Sequence, residues 1–175
     1  MPILTPNNKV LNPLSPNGFQ LTIQKIPEMI YFSQSVNIPG INLPHISFNN
    51  MFSAIPIAST NIQFDTLNID FLVDESMSNY LSIYNWIIAM GYPDNFQQYT
   101  AFLDSQAISN LTELAKSYSD GTIQILGSNN EIVRSITFID LLPISISTVT
   151  FASTNNDVNY ITASAVFNYN YFIIT

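Results

Sequence analysis

The chain contains no cysteine, so disulfides and thiolate metal sites are both excluded. Basic residues are almost as scarce: Lys9, Lys25, Lys116 and Arg134 face twelve acidic side chains, for a formal charge of −8. That balance argues against binding to a phosphate backbone, which needs clustered Lys and Arg to displace counterions. An acidic surface repels nucleic acid, and repulsion suits a passage through which it must slide. With only five glycines, the sequence offers no phosphate-cradling loop, dinucleotide fingerprint or serine-nucleophile elbow. The one histidine, His45, has neither a cysteine nor a second histidine to join it in a metal site, and no calcium-loop pattern occurs. The adjacent acids Asp74 and Glu75 diverge and read as helix-capping groups. No catalytic residues, metal ligands or cofactor are therefore expected. No apolar run is long enough to cross a membrane, and the N-terminus lacks the basic and apolar regions of a signal peptide. The expectation is a soluble protein made in a cytoplasm.

Hydrophobic residues, by contrast, make up 47% of the chain and charged residues only 9%. An average soluble domain is roughly 25% charged. A monomer so short of charge and so rich in Ile, Phe and Tyr is hard to keep from self-association, so part of the apolar excess is expected between subunits. A length of 175 residues fits one domain with a sizeable core.

Residues 1–18 carry four of the ten prolines and read as an extended arm; residues 19–175 read as a single domain. Alternation in Phe19, Leu21 and Ile23, a turn at Pro27-Glu28 and a second run over 29–36 predict a hairpin. Residues 40–60 hold too many turn residues for a central strand yet are too apolar for a solvated loop. Docking on a neighbour is the expectation, through Ile41, Phe48, Met51, Phe52, Ile55 and Ile57. Thr66–Val73 is the clearest strand, with Leu67, Ile69, Phe71 and Val73 inward and Asn68 and Asp70 outward. Asp74 then reads as the N-cap of a helix running to about Met90 and stopped by Gly91-Tyr92-Pro93. Met77, Tyr80, Leu81, Tyr84, Ile87 and Ile88 follow the spacing of one buried face. Ile83, Trp86 and Met90 fall on the other side and join the contact candidates, since aromatics are enriched at interfaces.

A weaker helix is expected over about 104–118, and a hairpin around Gly127-Ser128-Asn129-Asn130. The C-terminal third reads as a strand kinked at Leu141-Leu142-Pro143, a turn at Asn155-Asn156-Asp157 and a long alternating strand with Tyr169 and Tyr171 on one packing face. The fold class is α+β and mainly β: two packed antiparallel sheets, as a sandwich or barrel, with a helix flanking them at about 75–90.

These elements come in a particular order: Asn37-Ile38-Pro39-Gly40 and its long loop, Phe64-Asp65 leading a strand that ends Val73-Asp74-Glu75, the Trp86 helix, Phe138 through Pro143, and the aromatic closing strand. In that order the chain resembles the tail tube proteins of contractile-tailed bacteriophages and the tube-fold proteins of baseplates and type VI secretion systems, over about residues 17–173. The resemblance implies a non-enzymatic structural subunit in the virion tail, assembled in the host cytoplasm. It implies six-membered rings, stacked around a channel that conducts genome DNA as non-specific cargo, with sheath and baseplate proteins as partners. Asp65, Asp70, Asp140 and Asp157 are candidates for acids facing that channel. A tube-fold baseplate or tube-initiator protein is the nearest alternative. A carbohydrate-binding β-sandwich, using the aromatics of Asn168-Tyr169-Asn170-Tyr171, is the alternative from another class.

Overall fold

The computed structural model describes residues 14–49, 51–91, 97, 98, 100, 101, 117–152 and 160–175. The elements in chain order are β1 (Phe19–Ile23), α1 (Met29–Phe32), β2 (Ser33–Val36), β3 (Ile41–Asn42), β4 (His45–Asn49), β5 (Ala54–Ala58), β6 (Gln63–Phe64) and β7 (Leu67–Leu72). They continue with α2 (Ser78–Gly91), β8 (Ser119–Leu126), β9 (Ile132–Ile146), β10 (Thr162–Asn168) and β11 (Tyr171–Ile174). The main sheet runs β1-β8-β9-β10-β7-β2, with β11 also on β9, and every pairing is antiparallel.

The fifteen-residue β9 makes this one sheet into two layers. Its first part pairs with β8 and β11, and its last part with β10. The turn between them sits at Asp140, whose φ is 59°. Asp is among the few L-residues that tolerate the left-handed region. Gly121 pairs with Phe138 and Ser119 with Leu141, so two residues of β9 oppose Asp120 alone, which is a bulge. The Asp140 N–H donates to Asp120 Oδ1 at 3.3 Å. A second slip comes at Pro143, which pairs with Phe167 while Ser145 pairs with Val166. Proline cannot donate to a ladder, and a bulge accommodates it. The kink expected at Leu141-Leu142-Pro143 is thus flanked by two irregularities, and the sharper one is Asp140.

The layers bury Leu21, Ile23, Ile123, Ile136 and Phe138 from one side and Leu67, Ile69, Phe71, Ala165 and Phe167 from the other. Each large side chain so buried contributes on the order of 1.5–3 kcal/mol. α2 packs against β9 and closes the core with Ile83 and Trp86.

Four expectations are corrected. Residues 19–36 are not a hairpin: β1 pairs with β8 and β2 with β7. Ile26 and Met29 are buried while Gln24, Pro27, Glu28 and Tyr31 are exposed, so the intervening turn and α1 cover one end of the core as they carry the chain from one layer to the other. Asp74 does not cap α2, which begins at Ser78 after Met77 at φ 56°. Its carboxylate accepts from Ser76, from Ser78 at 3.2 Å and from the Glu75 N–H at 2.8 Å, and these bonds hold its pKa below the ordinary carboxylate value. Buried Asn79 makes the join instead, donating to Leu72 O at 2.7 Å and accepting from the Asp74 N–H at 3.2 Å.

The buried stripe of α2 is Asn79, Ile83, Trp86 and Ala89, while Leu81 and Tyr84 are exposed. Ile83 and Trp86 are therefore core residues of the subunit and not surface contacts, and Met90 packs against the same core. Finally, the closing strand is broken: β10 belongs to one layer and β11 to the other. Tyr169 is buried at the crossing and Tyr171 is exposed, so the two do not share a packing face. All but the last two residues of the 104–118 helix, the turn at 155–157 and most of the N-terminal arm lie outside the described residues.

Candidate assembly surface

Residues Ile41 to Phe64 form a nested hairpin arm. Asn42 pairs with Gln63 at its root and Asn49 with Ala54 near its tip. Between them the Ser59 N–H donates to Pro44 O at 2.9 Å, and just below the root the Asp65 N–H donates to Gly40 O at 3.1 Å. The arm is therefore zipped along its length. Pro56 is tolerated because β5 has a partner on one side only.

Its two faces differ. Ile46 stands opposite Ile57 and Phe48 opposite Ile55, so period-two alternation gathers four large apolar side chains on one face. The other face carries His45, Ser47, Asn49, Ala54, Pro56 and Ala58. Every residue of β4 and β5 is exposed; Phe48 keeps 61% of its surface and Met51 93%. No Asp, Glu, Lys or Arg occurs from Ile41 to Phe64. The expected apolar loop is thus a β-arm that its own subunit does not cover.

The root is fixed by an aromatic cluster. Phe64 lies 5.6 Å from Phe172 and 6.0 Å from Tyr169 between ring centroids, and Tyr169 lies 5.0 Å from Phe138. The Tyr169 hydroxyl donates to Asp65 O at 2.8 Å. Burial first, and the Asp65 charge second, push its pKa up to about 12. Sequence reasoning missed this anchoring role, although the aromatic residues on either side of Asn170 were its signal.

The side of the strands opposite the core carries polar rows on β1, β8 and β9, with apolar Ile173 and Tyr171 of β11 beside them. Gln20, Gln124 and Ser135 form one cross-strand row, and Thr22, Thr122 and Thr137 the next. On the other layer Ser35, Asp70 and Ser164 are in register, and the Ser35 hydroxyl donates to Asp70 Oδ2 at 2.5 Å. Gln34, Asp70, Ser147, Thr162 and Ser164 border a shallow concavity there.

The acidic candidates occupy separate places: Asp70 on this face, Asp65 at the arm root and Asp140 at the β9 bend, while Asp157 lies outside the described residues. Asp140 has Asp120 beside it, an acid sequence reasoning had not singled out. Among the described residues no three His, Cys, Asp or Glu side chains converge as metal ligands would. Lys25 is drawn inward, its Nζ 4.7 Å from the Trp86 ring centre, and burial pulls its pKa down to about 8.

Residues 3–175 match the family model described as phage tail tube protein. No curated protein matches the chain. A chain from the extended-state sheath/tube terminator of the PVC extracellular contractile injection system is 16% identical with a TM-score of 0.63, covering 95% of this chain and 99% of that one. A chain of the anti-feeding prophage baseplate is 10% identical with a TM-score of 0.64, over 95% and 97%. Hcp1 from Flavobacterium johnsoniae is 13% identical with a TM-score of 0.51, over 90% and 94%. These likenesses show a shared fold. The near-complete family match, on that fold and with a β-arm exposing its apolar face, means that the chain belongs to the phage tail tube protein family, as a structural component of the virion tail.

Proposed function

We propose that the protein is the subunit of a tail tube, in which six copies close each ring and stacked rings enclose a channel for genome DNA. The uncharged, apolar face of the β-arm carries this reading. A monomer has no use for Ile46, Phe48, Ile55 and Ile57 in water, whereas a neighbouring subunit buries them. The polar rows of Gln, Thr and Ser on the strands give a wall that offers DNA no cluster of cations. Asp65, Asp70, Asp140 and Asp157 add repulsion wherever they face that channel. Sheath and baseplate proteins are the further partners, and assembly takes place in the host cytoplasm.

Electron microscopy of the purified protein tests the reading and is expected to show rings or tubes with a central hole. Replacing residues 44–58 by a short Gly-Ser turn removes β4 and β5, every residue of which is exposed. It should leave a folded monomer that forms no rings. A wild-type protein that stays monomeric at high concentration would sink the proposal. Arrest at single rings would favour a tube-initiator role over the main tube.

A further inference from the structure

The apolar face of the arm needs a receptor, and the subunit carries one surface that fits it. Between β1 and β2 lies a groove of about 210 Å³, lined by Leu14, Phe19, Val36, Ile38, Ile123 and Ile125 among others. A dry apolar cavity of about 150 Å³ already accepts benzene, so this groove has room for a phenyl ring. None of its lining residues is charged, and neither is any residue of the arm. Two copies at −8 each repel one another broadly, so their closest approach is favoured where both surfaces are neutral.

The arm does not fill the groove of its own subunit: no residue of β4 or β5 lines it. It leaves from Gly40, two residues beyond Ile38 on the groove rim, and pairs only with itself on the way to Phe48. Phe48 remains exposed, and among the described residues none of the arm enters the groove.

We propose that the occupant is a second copy of this chain: the Ile46, Phe48, Ile55 and Ile57 face of one arm lies across the β1–β2 groove of the next subunit, with the Phe48 ring inside it. The contact deepens the tube reading and rests on it. Arm and groove are different surfaces, so the contact runs head to tail, and repetition closes a ring or extends a stack.

Phe48 and Ile38 are both at least half exposed, so an aspartate at either leaves the subunit core intact. Thermal melts of the two variants check this. Phe48→Asp spoils the arm but keeps the groove, and Ile38→Asp does the reverse. Each alone should run as a monomer by light scattering. Their mixture should give a species of twice the mass that grows no further, because only one arm–groove pair remains competent. The chain lacks cysteine, so a Phe48→Cys, Ile38→Cys double variant reports the same pairing directly. Oxidation should give a ladder of covalent multimers, and Ser47→Cys with Ile38→Cys, on the opposite arm face, should not.

Assembly of Ile38→Asp like wild type, or a mixture that stays monomeric while wild type forms rings, would overturn the groove assignment and leave the tube reading standing. A monomeric wild type would remove both.

Discussion

Tyr169 joins three parts of the structure: the crossing from β10 to β11, the aromatic cluster and the root of the arm. Its hydroxyl bond to Asp65 O is worth about 1 kcal/mol in a folded subunit. The native hydroxyl titrates near 12 and an unfolded phenol near 10. A group whose pKa is raised on folding stabilises fully below its unfolded value, and that stability is lost as pH climbs through the native one. The stability gap between wild type and Tyr169→Phe, measured by urea unfolding, should therefore be constant from neutral pH to about 10 and shrink between 10 and 12. A gap unchanged across that window would contradict the assignment. Trp86 teaches a different lesson at this scale. A lone tryptophan on a helix with apolar residues all round suits a contact or a core equally well by composition. Its Nε1–H bond to Ser117 O at 2.9 Å, made within the core, decides the matter.

Elements were legible where alternation was strict and one face was buried. β7 and the β8–β9 hairpin follow from period two, and the turn at Gly127 to Asn130 follows from its residue types, with Asn130 at φ 58°. The inward face of α2 was not legible, because apolar residues surround it. The deciding position is polar Asn79, whose side chain stitches α2 to the end of β7. The 19–36 hairpin failed because two strands adjacent in sequence belong to different layers, and periodicity carries no information about partners.

Close approaches at the element ends make a testable contrast. A Cβ at Gly18 would lie 2.6 Å from Leu126 O, a backbone atom fixed in the β1–β8 ladder, whereas one at Gly40 would meet only the mobile carboxylate of Asp65 at 2.6 Å. Gly18→Ala should thus cost on the order of 1–3 kcal/mol, and Gly40→Ala under about 1, by thermal unfolding. Equal losses would mean that the Asp65 side chain cannot swing aside.

At the scale of the whole molecule, the fold class was anticipated, and so was an apolar 40–60 segment outside the central sheet, while its form as a β-arm was not. Prolines at 39, 44 and 56 argued for a loop; pairing of the arm with itself, outside the main sheet, is how strands persist beside them.

The bend of β9 has a thermodynamic consequence. Both layers share one continuous strand: β9 pairs with β8 and β11 in one and with β10 in the other, so loss of β9 opens both. Native-state hydrogen exchange on the unassembled subunit should show amides of β7, β8, β9 and β10 opening together at a single free energy, with the arm opening well below it. Separate opening of the β2-β7-β10 layer would count against this. One covalent strand through both walls makes the subunit a single cooperative unit with a loosely held limb, so the limb can yield while the wall does not.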